Sequence, residues 1–307
     1  MSMKTLYLRP TSVLTYRSCG YQYYLQYVLR IRSVSLAHSL AFGGAMHKGV
    51  LPYVYAHAYG DKVDTVALFE QAWKEVLDNN IIQFSSTHHS DLTAIGRELA
   101  RTFPEYWDKT GLIAVKVNGK ALVENRLRLD IGDNVILSGE PDIVATRIKD
   151  PLQRLIIPDA KVPKSKAFDG FADVSDQLTA YNLLVHFARK KLGIEGREIG
   201  EVGFVEGLKQ KTKPRWVQPQ LAPARSEQVM GEYLAKLKTT AGMIRRGHFQ
   251  KESGHAFNSP CRLCDLRSLC TKRDATGMHS ELGDVAKLVR EPIDVGMARA
   301  EEYKRAA

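Results

Sequence analysis

The strongest restriction on the fold is an apolar run that ends in charged residues, Leu155-Ile-Ile-Pro-Asp-Ala-Lys161. A continuous apolar run bounded by polar residues is typical of a buried strand. A second run, which begins at Val135, leads in the same way into Asp142. Side chains on a strand alternate between its two faces, so Asp159 and Lys161 point the same way. If the two strands are neighbours, Asp142 can lie beside Asp159.

The order of the remaining patterns predicts an α/β fold. Helical patterns come first, then strands, a helix, two further strands and a final helix. This order predicts a mixed β-sheet flanked by helices, with a helical elaboration at the N-terminal end. The predicted helices are 11–29, a stretch from about 43, 64–78, 90–109, 175–192 and 226–246, and the predicted strands are 121–129, 135–143, 154–162, 202–208 and 215–220. We expect a single domain over 1–273, with a helical insert at about 56–115 and a cysteine-bearing loop at 260–273, followed by a charged tail at 274–307.

Composition restricts the class of protein. No apolar run approaches the ~18 residues that a membrane-spanning helix needs. Arg9 and Arg17 interrupt any apolar core of a signal peptide, so we expect a cytoplasmic protein. Lysine and arginine total 44 against 34 aspartates and glutamates, a net charge of +10 that favours a polyanionic partner.

The two aspartates predict a site for a divalent cation. Neighbouring carboxylates repel each other unless a cation lies between them, and their hard oxygens suit Mg²⁺ or Mn²⁺. The carbonyl group of Ala160 can add a ligand. Lys161 is then placed to orient or deprotonate a water, or to stabilise charge on a phosphate. The alternative is that Asp159 and Lys161 form an ordinary surface salt bridge.

Four short motifs resemble one family of nucleases. Pro141-Asp142 and Asp159-Ala160-Lys161 are similar to the two halves of the motif that defines the PD-(D/E)XK nuclease superfamily. Gly43-Gly-Ala-Met-His47 and Gln177-Leu-Thr-Ala-Tyr181 resemble the Gly-x-x-x-His and Gln-x-x-x-Tyr motifs of its RecB-like exonuclease branch. The resemblance implies a restriction-endonuclease-like core over nearly the whole chain.

The resemblance also implies a role for each motif residue. His47, Asp142 and Asp159 would be metal ligands, and Lys161 would be the catalytic lysine. Gln177 and Tyr181 would position the DNA and the active-site strand. Glu124 would be an upstream acid, a role for which Glu140 is the other candidate. The alternative for His47, Gln177 and Tyr181 is an ordinary place in the core or on the surface.

The four cysteines form a second group. Cys261, Cys264 and Cys270 lie close together near the C-terminal end, and Cys19 lies about 240 residues before them. Four thiolates can bind an iron–sulfur cluster or Zn²⁺, and buried unpaired thiols are the remaining alternative. One early and three late cysteines resemble the iron–sulfur staple that AddB-type nucleases, exonuclease V and the fourth CRISPR-associated protein share. The resemblance implies a structural [4Fe–4S] cluster, with Zn²⁺ as the alternative.

Basic residues predict contacts with nucleic-acid phosphates. Lys209, Lys211, Lys213 and Arg215 recur at every second position, which would place them on one face of an extended hairpin. Lys164 and Lys166 follow the catalytic lysine. Such charges bind phosphates without reading sequence, although a solvated basic face is the alternative for each of them.

These observations predict a metal-dependent DNA exonuclease that hydrolyses phosphodiester bonds. By resemblance alone, we expect it to act on single-stranded ends in DNA repair, recombination or CRISPR-like processing, with a recombination, helicase or CRISPR-adaptation partner. One alternative is a non-catalytic DNA-binding or scaffold subunit of a recombination complex. The other is a structure-specific endonuclease.

Overall fold

The computed structural model describes residues 4–84, 87–252, 254, 259–271 and 286–288. Its α-helices are α1 (Pro10–Ser18), α2 (Gly20–Tyr23), α3 (His38–His57), α4 (Thr65–Asn79), α5 (His89–Thr110), α6 (Phe171–Val174), α7 (Asp176–Ala188), α8 (Glu227–Arg245) and α9 (Arg267–Thr271). A π-helix spans Tyr24–Val28 and a 3₁₀-helix spans Pro260–Leu263. No helix of these described residues is long and apolar enough to cross a membrane.

The strands are β1 (Leu6–Leu8), β2 (Ile31–Ser33), β3 (Ser35–Ala37), β4 (Ile81–Gln83), β5 (Leu112–Ala114), β6 (Lys116–Val117), β7 (Lys120–Ala121), β8 (Leu127–Asp130), β9 (Val135–Gly139), β10 (Ala145–Arg147), β11 (Leu155–Lys161), β12 (Ile199–Leu208), β13 (Arg215–Trp216), β14 (Gln220–Pro223) and β15 (Ala286–Leu288). They include two runs with no helix between the strands, β5 to β11 and β12 to β14. The last strand, β15, pairs with β2. Apart from it, the predicted tail at 274–307 lies outside the described residues.

The chain divides into two compact units. One comprises the described residues of Met1–Ser35, Arg128–Ser138 and Gly231–Ala307, and the other comprises those of Leu36–Leu127 and Gly139–Met230. Compact units of one chain need not fold independently. The single domain over 1–273 therefore stays a prediction.

The second unit contains the largest sheet of the described residues. Its strand order is β13-β12-β11-β10-β5, and β14 also pairs with β12. β11 and β12 run parallel, whereas β10 is antiparallel to both β11 and β5. The residues of β11 from Leu155 to Ala160 are all buried, as expected for a strand covered on both faces. The predicted α/β fold with a mixed sheet is confirmed.

Three helices share one buried core with this sheet. Aromatic side chains of α3, α4 and α5 form much of the buried core, with Phe42, Phe69 and Trp107 each fully buried. Ala160 and Val205, from β11 and β12, belong to the same core. The predicted insert at 56–115 thus supplies α4 and α5, whose apolar faces complete this packing.

Two helix starts follow the expected capping chemistry. The carboxylate of Asp64 accepts hydrogen bonds from the backbone N–H groups of Val66 and Ala67, both at 3.0 Å. The hydroxyl of Ser175 accepts one from the N–H of Leu178 at the start of α7. Both starts lie within a residue or two of the predicted positions.

The predicted helix at 11–29 is interrupted. It begins at Pro10, and the Ser12 hydroxyl binds back to the backbone of Arg9. At Cys19 the backbone is extended, with φ −163° and ψ 110°, and the thiol accepts from the N–H of Gln22 at 3.5 Å. The thiol therefore starts a new helix by capping it, a feature that apolar periodicity does not report.

The predicted strands at 121–129 and 135–143 are also shorter than expected. β9 ends at Gly139, and it belongs with β1 and β8 to a separate sheet of the first unit. The chain turns between β8 and β9 with positive φ at Gly132, Asp133 and Asn134, and the two strands are neighbours in that sheet. Glu124 also has a positive φ of 51°, so it does not lie on the strand predicted for it.

Candidate active site

The end of β11 places two charged side chains together. Asp159 is 1% exposed, and the ammonium group of Lys161 contacts its Oδ2 atom. The described residues supply no well-oriented hydrogen bond to that oxygen. A buried carboxylate oxygen with one cationic neighbour retains capacity for a further positive partner.

Asp142 joins this pair through the backbone of the same strand. It lies in the connection between β9 and β10, and its Oδ2 atom accepts a 2.8 Å hydrogen bond from the N–H of Ala160. Its own carbonyl accepts from the N–H of Glu124 at 2.8 Å. The predicted neighbourhood of Asp142 and Asp159 is therefore present, but a loop rather than a strand of the same sheet produces it.

His47 approaches from α3. Its Nε2 atom lies 2.9 Å from the carbonyl oxygen of Ala160, and its Nδ1 atom lies 3.8 Å from Oδ1 of Asp142. Burial, and then the positive charge of Lys161, lower the pKa of His47. The imidazole is thus held in the neutral form that binds metals.

Gln177 and Tyr181 lie one turn apart on α7. The amide of Gln177 donates to Oδ1 of Asp159 at 3.4 Å and to the hydroxyl of Tyr181 at 3.0 Å. A side-chain carbon at Gly139 would lie 2.6 Å from Cδ1 of Leu184. Glycine therefore allows α7 to approach the segment that leads to the site.

The electrostatics of this site favour an added cation. Burial, and then repulsion by Asp159, raise the pKa of Asp142 well above its usual value. Burial alone would lower the pKa of Lys161, but attraction by Asp159 and Asp142 outweighs it, and the pKa is raised. Burial, reinforced by the charge of Asp159, also raises the pKa of Tyr181. The single positive charge of Lys161 thus does not fully compensate the burial and mutual repulsion of the two carboxylates.

The donor set fits a hard divalent cation. Two carboxylates, a neutral imidazole and the carbonyl oxygen of Ala160 meet around the end of β11. Oxygen ligands with one imidazole suit Mg²⁺ or Mn²⁺. Among the described residues, however, no three His, Cys, Asp or Glu side chains already stand at the spacing of a metal site.

The two candidates for an upstream acid lie in different surroundings. Glu124 is exposed, and its backbone N–H donates to the carbonyl oxygen of Asp142. Glu140 accepts two hydrogen bonds from the guanidinium group of Arg126, at 2.6 and 3.2 Å. The role of Glu124 stays a prediction.

The predicted basic row is wrong as a single face. β12 ends at Leu208 and β13 begins only at Arg215, so the chain between them turns instead of extending. Lys209 is half-buried with its Nζ atom 5.8 Å from the centre of the Phe42 ring, and burial lowers its pKa. The others are exposed, and Lys211 pairs with Asp91 at 3.0 Å. The alternation at 209, 211, 213 and 215 therefore reflects no shared strand.

One buried acid was missed by the sequence analysis. Glu206 is 3% exposed and stands in register with Lys161 on the neighbouring strand. Its Oε1 atom accepts a 3.1 Å hydrogen bond from the N–H of Ala167. The sequence signal for Glu206 was a single carboxylate within the apolar run 202–208. Burying a charged group without a partner has a large free-energy cost, so such a residue indicates a specific role.

The first unit brings all four cysteines to one cavity. They are free thiols, and together they line a space of about 90 Å³ beside Leu25. Burial, together with the charges of neighbouring cysteines, raises the pKa of Cys264 and of Cys270. Several thiols that oppose each other's ionisation form a donor set that a cationic centre would stabilise. The expected grouping of Cys19 with the three late cysteines is therefore present.

Replacing Asp142 with asparagine should stabilise the metal-free protein at neutral pH. The raised pKa of Asp142 means that the folded wild type loses stability as the pH rises from about 4 through that pKa. We expect the variant to avoid this loss and to be more stable by about 1–2 kcal/mol above it, a typical relief of a buried charge. Thermal unfolding in EDTA across pH 4–8 measures the difference.

Manganese and a second variant serve as controls for that prediction. Mn²⁺ should raise the melting temperature of the wild type but not of Asp142→Asn. Asp169 is an exposed acid paired with Lys166, so Asp169→Asn should show no gain at any pH. Equal stability of the wild type and Asp142→Asn at pH 8 in EDTA would contradict carboxylate repulsion.

In comparisons with family models, with curated proteins and with solved structures, the family-model match covers most of the chain. A sequence model of the PD-(D/E)XK nuclease superfamily matches residues 8–271. A solved structure described as a "putative exonuclease" from Eubacterium rectale is 13% identical, has a TM-score of 0.48, and covers 86% of this chain and 87% of that chain. The structure of SSO0001 is 11% identical, with a TM-score of 0.28 and coverage of 78% and 86%. No curated protein matches the chain in sequence.

Proposed function

This chain belongs to the PD-(D/E)XK nuclease superfamily, and we propose that it is a metal-dependent DNA exonuclease of the RecB-like branch. The observation that carries the proposal is the 2.8 Å hydrogen bond from the N–H of Ala160 to Asp142. That bond holds a second carboxylate against Asp159 and Lys161. Two buried carboxylates beside one lysine lower the stability of the fold. Groups with pKa values perturbed in this way are typical of active sites.

The residues of the site have different roles in the proposed hydrolysis. His47, Asp142, Asp159 and the Ala160 carbonyl would hold Mg²⁺ or Mn²⁺. When bound, the cation supplies Lewis-acid activation of water and of the phosphodiester. The raised pKa of Lys161 favours its ammonium form, so this side chain stabilises charge on the phosphate rather than abstracting a proton.

Two side chains of α7 support this arrangement. Gln177 bridges Asp159 and the hydroxyl of Tyr181. Because one amide nitrogen of Gln177 makes both contacts and Tyr181 lies on the same helix, Gln177 holds the carboxylate of Asp159 against α7. We assign both residues to positioning of the active-site strand and of the DNA.

The cysteine cavity belongs to the same proposal. We propose that Cys19, Cys261, Cys264 and Cys270 hold a [4Fe–4S] cluster with a structural role. Zn²⁺ is the alternative, since thiolates bind both. The observation that supports the proposal is the shared cavity of the four free thiols.

We further propose that single-stranded DNA ends are the substrate. The setting would be repair, recombination or CRISPR-like processing in the cytoplasm, with a helicase or another recombination component as partner. The net charge of +10 favours a polyanionic substrate.

Cleavage of linear and circular single-stranded DNA tests the function. Anaerobically purified wild type and Asp159→Asn are each mixed with both substrates, in Mn²⁺ or in EDTA. We expect loss of the linear strand alone, in Mn²⁺ alone, and only with the wild type. Loss of the circle as well would establish an endonuclease. Binding without cleavage in any condition would favour a non-catalytic scaffold subunit.

A further inference from the structure

An exposed aromatic side chain follows the catalytic lysine by seven residues. Phe168 is 64% exposed, in the segment that connects β11 to α6. A single exposed phenylalanine is common on protein surfaces and needs no explanation by itself. The surroundings of Phe168 distinguish it from such a residue.

Phe168 is connected to the active-site strand through two further rings. Its ring meets that of Phe171 edge-on, with centroids 5.2 Å apart, and Phe171 stacks on Phe204 at 5.5 Å with an interplanar angle of 14°. Phe204 on β12 is the register partner of Asp159 on β11, and neighbouring strands lie about 4.8 Å apart. The exposed ring is thus the outer end of an aromatic series that begins beside the catalytic carboxylate.

The backbone that carries Phe168 is held at several points. Its carbonyl oxygen accepts hydrogen bonds from the side-chain amide of Gln220 at 2.9 Å and from the N–H of Phe171 at 3.0 Å. The other end of the Gln220 amide accepts from the N–H of Ala172 at 3.3 Å. The neighbouring N–H of Ala167 donates to the buried carboxylate of Glu206. Because these hydrogen bonds already hold the backbone at Phe168, its side chain loses little conformational entropy when a ligand covers it.

Positive charge flanks the ring. Lys164 and Lys166 are exposed in the same segment, and Lys166 pairs with Asp169 at 2.6 Å. Basic residues that follow a backbone, together with an aromatic face on which a base can stack, are the chemistry of single-strand binding. A paired duplex hides its base faces inside the stack and offers them only at its ends. A ring that stacks on base faces would therefore favour unpaired nucleotides.

We propose that Phe168 is a base-stacking platform that makes the site specific for single-stranded nucleic acid. This inference rests on the proposed nuclease function and adds a specificity-determining residue to it. Phe171, Phe204 and Gln220 act through Phe168 as positioning residues. Glu206 gains a role here, because it ties down the segment that carries the platform.

Binding measured without hydrolysis tests the platform. Fluorescence anisotropy of a labelled single-stranded oligonucleotide in EDTA gives the dissociation constant of each full-length variant. We expect Phe168→Ala to weaken binding about tenfold, the usual effect of losing one stacked base. Phe168→Trp should bind as the wild type does. Phe168→Leu, which keeps an apolar side chain but offers no ring face, should resemble Phe168→Ala.

A second phenylalanine provides the matched control. Phe187 is 55% exposed and lies near the C-terminal end of α7, which Arg189, Lys190 and Lys191 follow. It stands ten residues, about 15 Å along the helix, beyond Gln177. Phe187→Ala should bind single strands as the wild type does. Equal loss in both variants would overturn the proposal, because a general apolar effect would explain it.

Oligonucleotides with one missing base locate the contact. A single abasic nucleotide is moved along the strand, and each is bound by the wild type and by Phe168→Ala. One position should weaken binding by the wild type and leave the variant unaffected, which is the coupling expected of a direct stack. No such position, or unchanged binding by Phe168→Ala, would overturn the platform and point to a protein-docking residue.

The outcomes separate the platform from the nuclease function. Cleavage by the wild type together with normal binding by Phe168→Ala would leave the nuclease proposal standing and remove the platform. A wild type that neither binds nor cleaves single strands would overturn both.

Discussion

Replacing Lys161 with alanine should lower the cleavage rate by at least about three orders of magnitude while single-strand binding in EDTA is retained. The ammonium group is the only cation that contacts Asp159 in the described residues, and the raised pKa keeps it charged. Removal of one group that stabilises developing charge typically costs a factor of about 10²–10³. Here Asp159 also loses its counter-charge. Single-turnover cleavage of a labelled linear strand in Mn²⁺ measures the loss.

The same substitution has a second effect that separates chemistry from folding. Without Lys161, two buried carboxylates face each other with no compensating charge, so the variant should be less stable than the wild type in EDTA. Mn²⁺ should restore stability but not cleavage. Lys149→Ala removes an exposed lysine from the turn before β11 and should change neither property. Cleavage by Lys161→Ala within tenfold of the wild type would refute the assigned role.

The central residues of the site could be predicted because strand geometry is simple. Alternation fixes Asp159 and Lys161 on one face, and the apolar run before them predicts a buried strand. The helix pair Gln177 and Tyr181 follows from a spacing of four. Local rules of this kind need no knowledge of which strand pairs with which.

The surroundings of the site could not be predicted, because they depend on pairing between strands that lie far apart in the sequence. β9 joins β1 and β8 rather than β11, and the positive φ of Glu124 arises where the chain leaves one sheet for another. The alternation at Lys209 to Arg215 had the period of a strand, but a turn intervenes. Periodicity describes a face only where the segment is extended.

The aromatic series and the buried acid were missed for a related reason. Phe168, Phe171 and Phe204 come from two segments more than thirty residues apart, and only the register of β12 against β11 aligns them with the catalytic residues. Glu206 carried a signal, since it interrupts an apolar run. Its partner, the N–H of Ala167, is a backbone group that no side-chain pattern reveals.

Replacing Cys264 with serine should remove the proposed cluster and lower stability by about 5–6 kcal/mol. The four thiols line one cavity, although Cys19 and Cys264 are about 240 residues apart in the chain. A cross-link over a loop of this size restricts the unfolded chain by roughly that free energy in the chain-entropy description. Because an unfolded chain has no preformed site, binding of the metal contributes directly to folding.

Two measurements decide the nature and the role of the site. Anaerobically purified wild type should contain about four iron and four sulfide per chain and absorb visible light, whereas Cys264→Ser should be colourless and melt at a lower temperature. Ser259→Ala is the matched control, because it removes only the hydroxyl that accepts from the N–H of Cys261. It should keep its colour and lose about 1 kcal/mol. Colourless wild type with one zinc per chain would replace the cluster by Zn²⁺, and an unchanged melting temperature of Cys264→Ser would remove the structural role altogether.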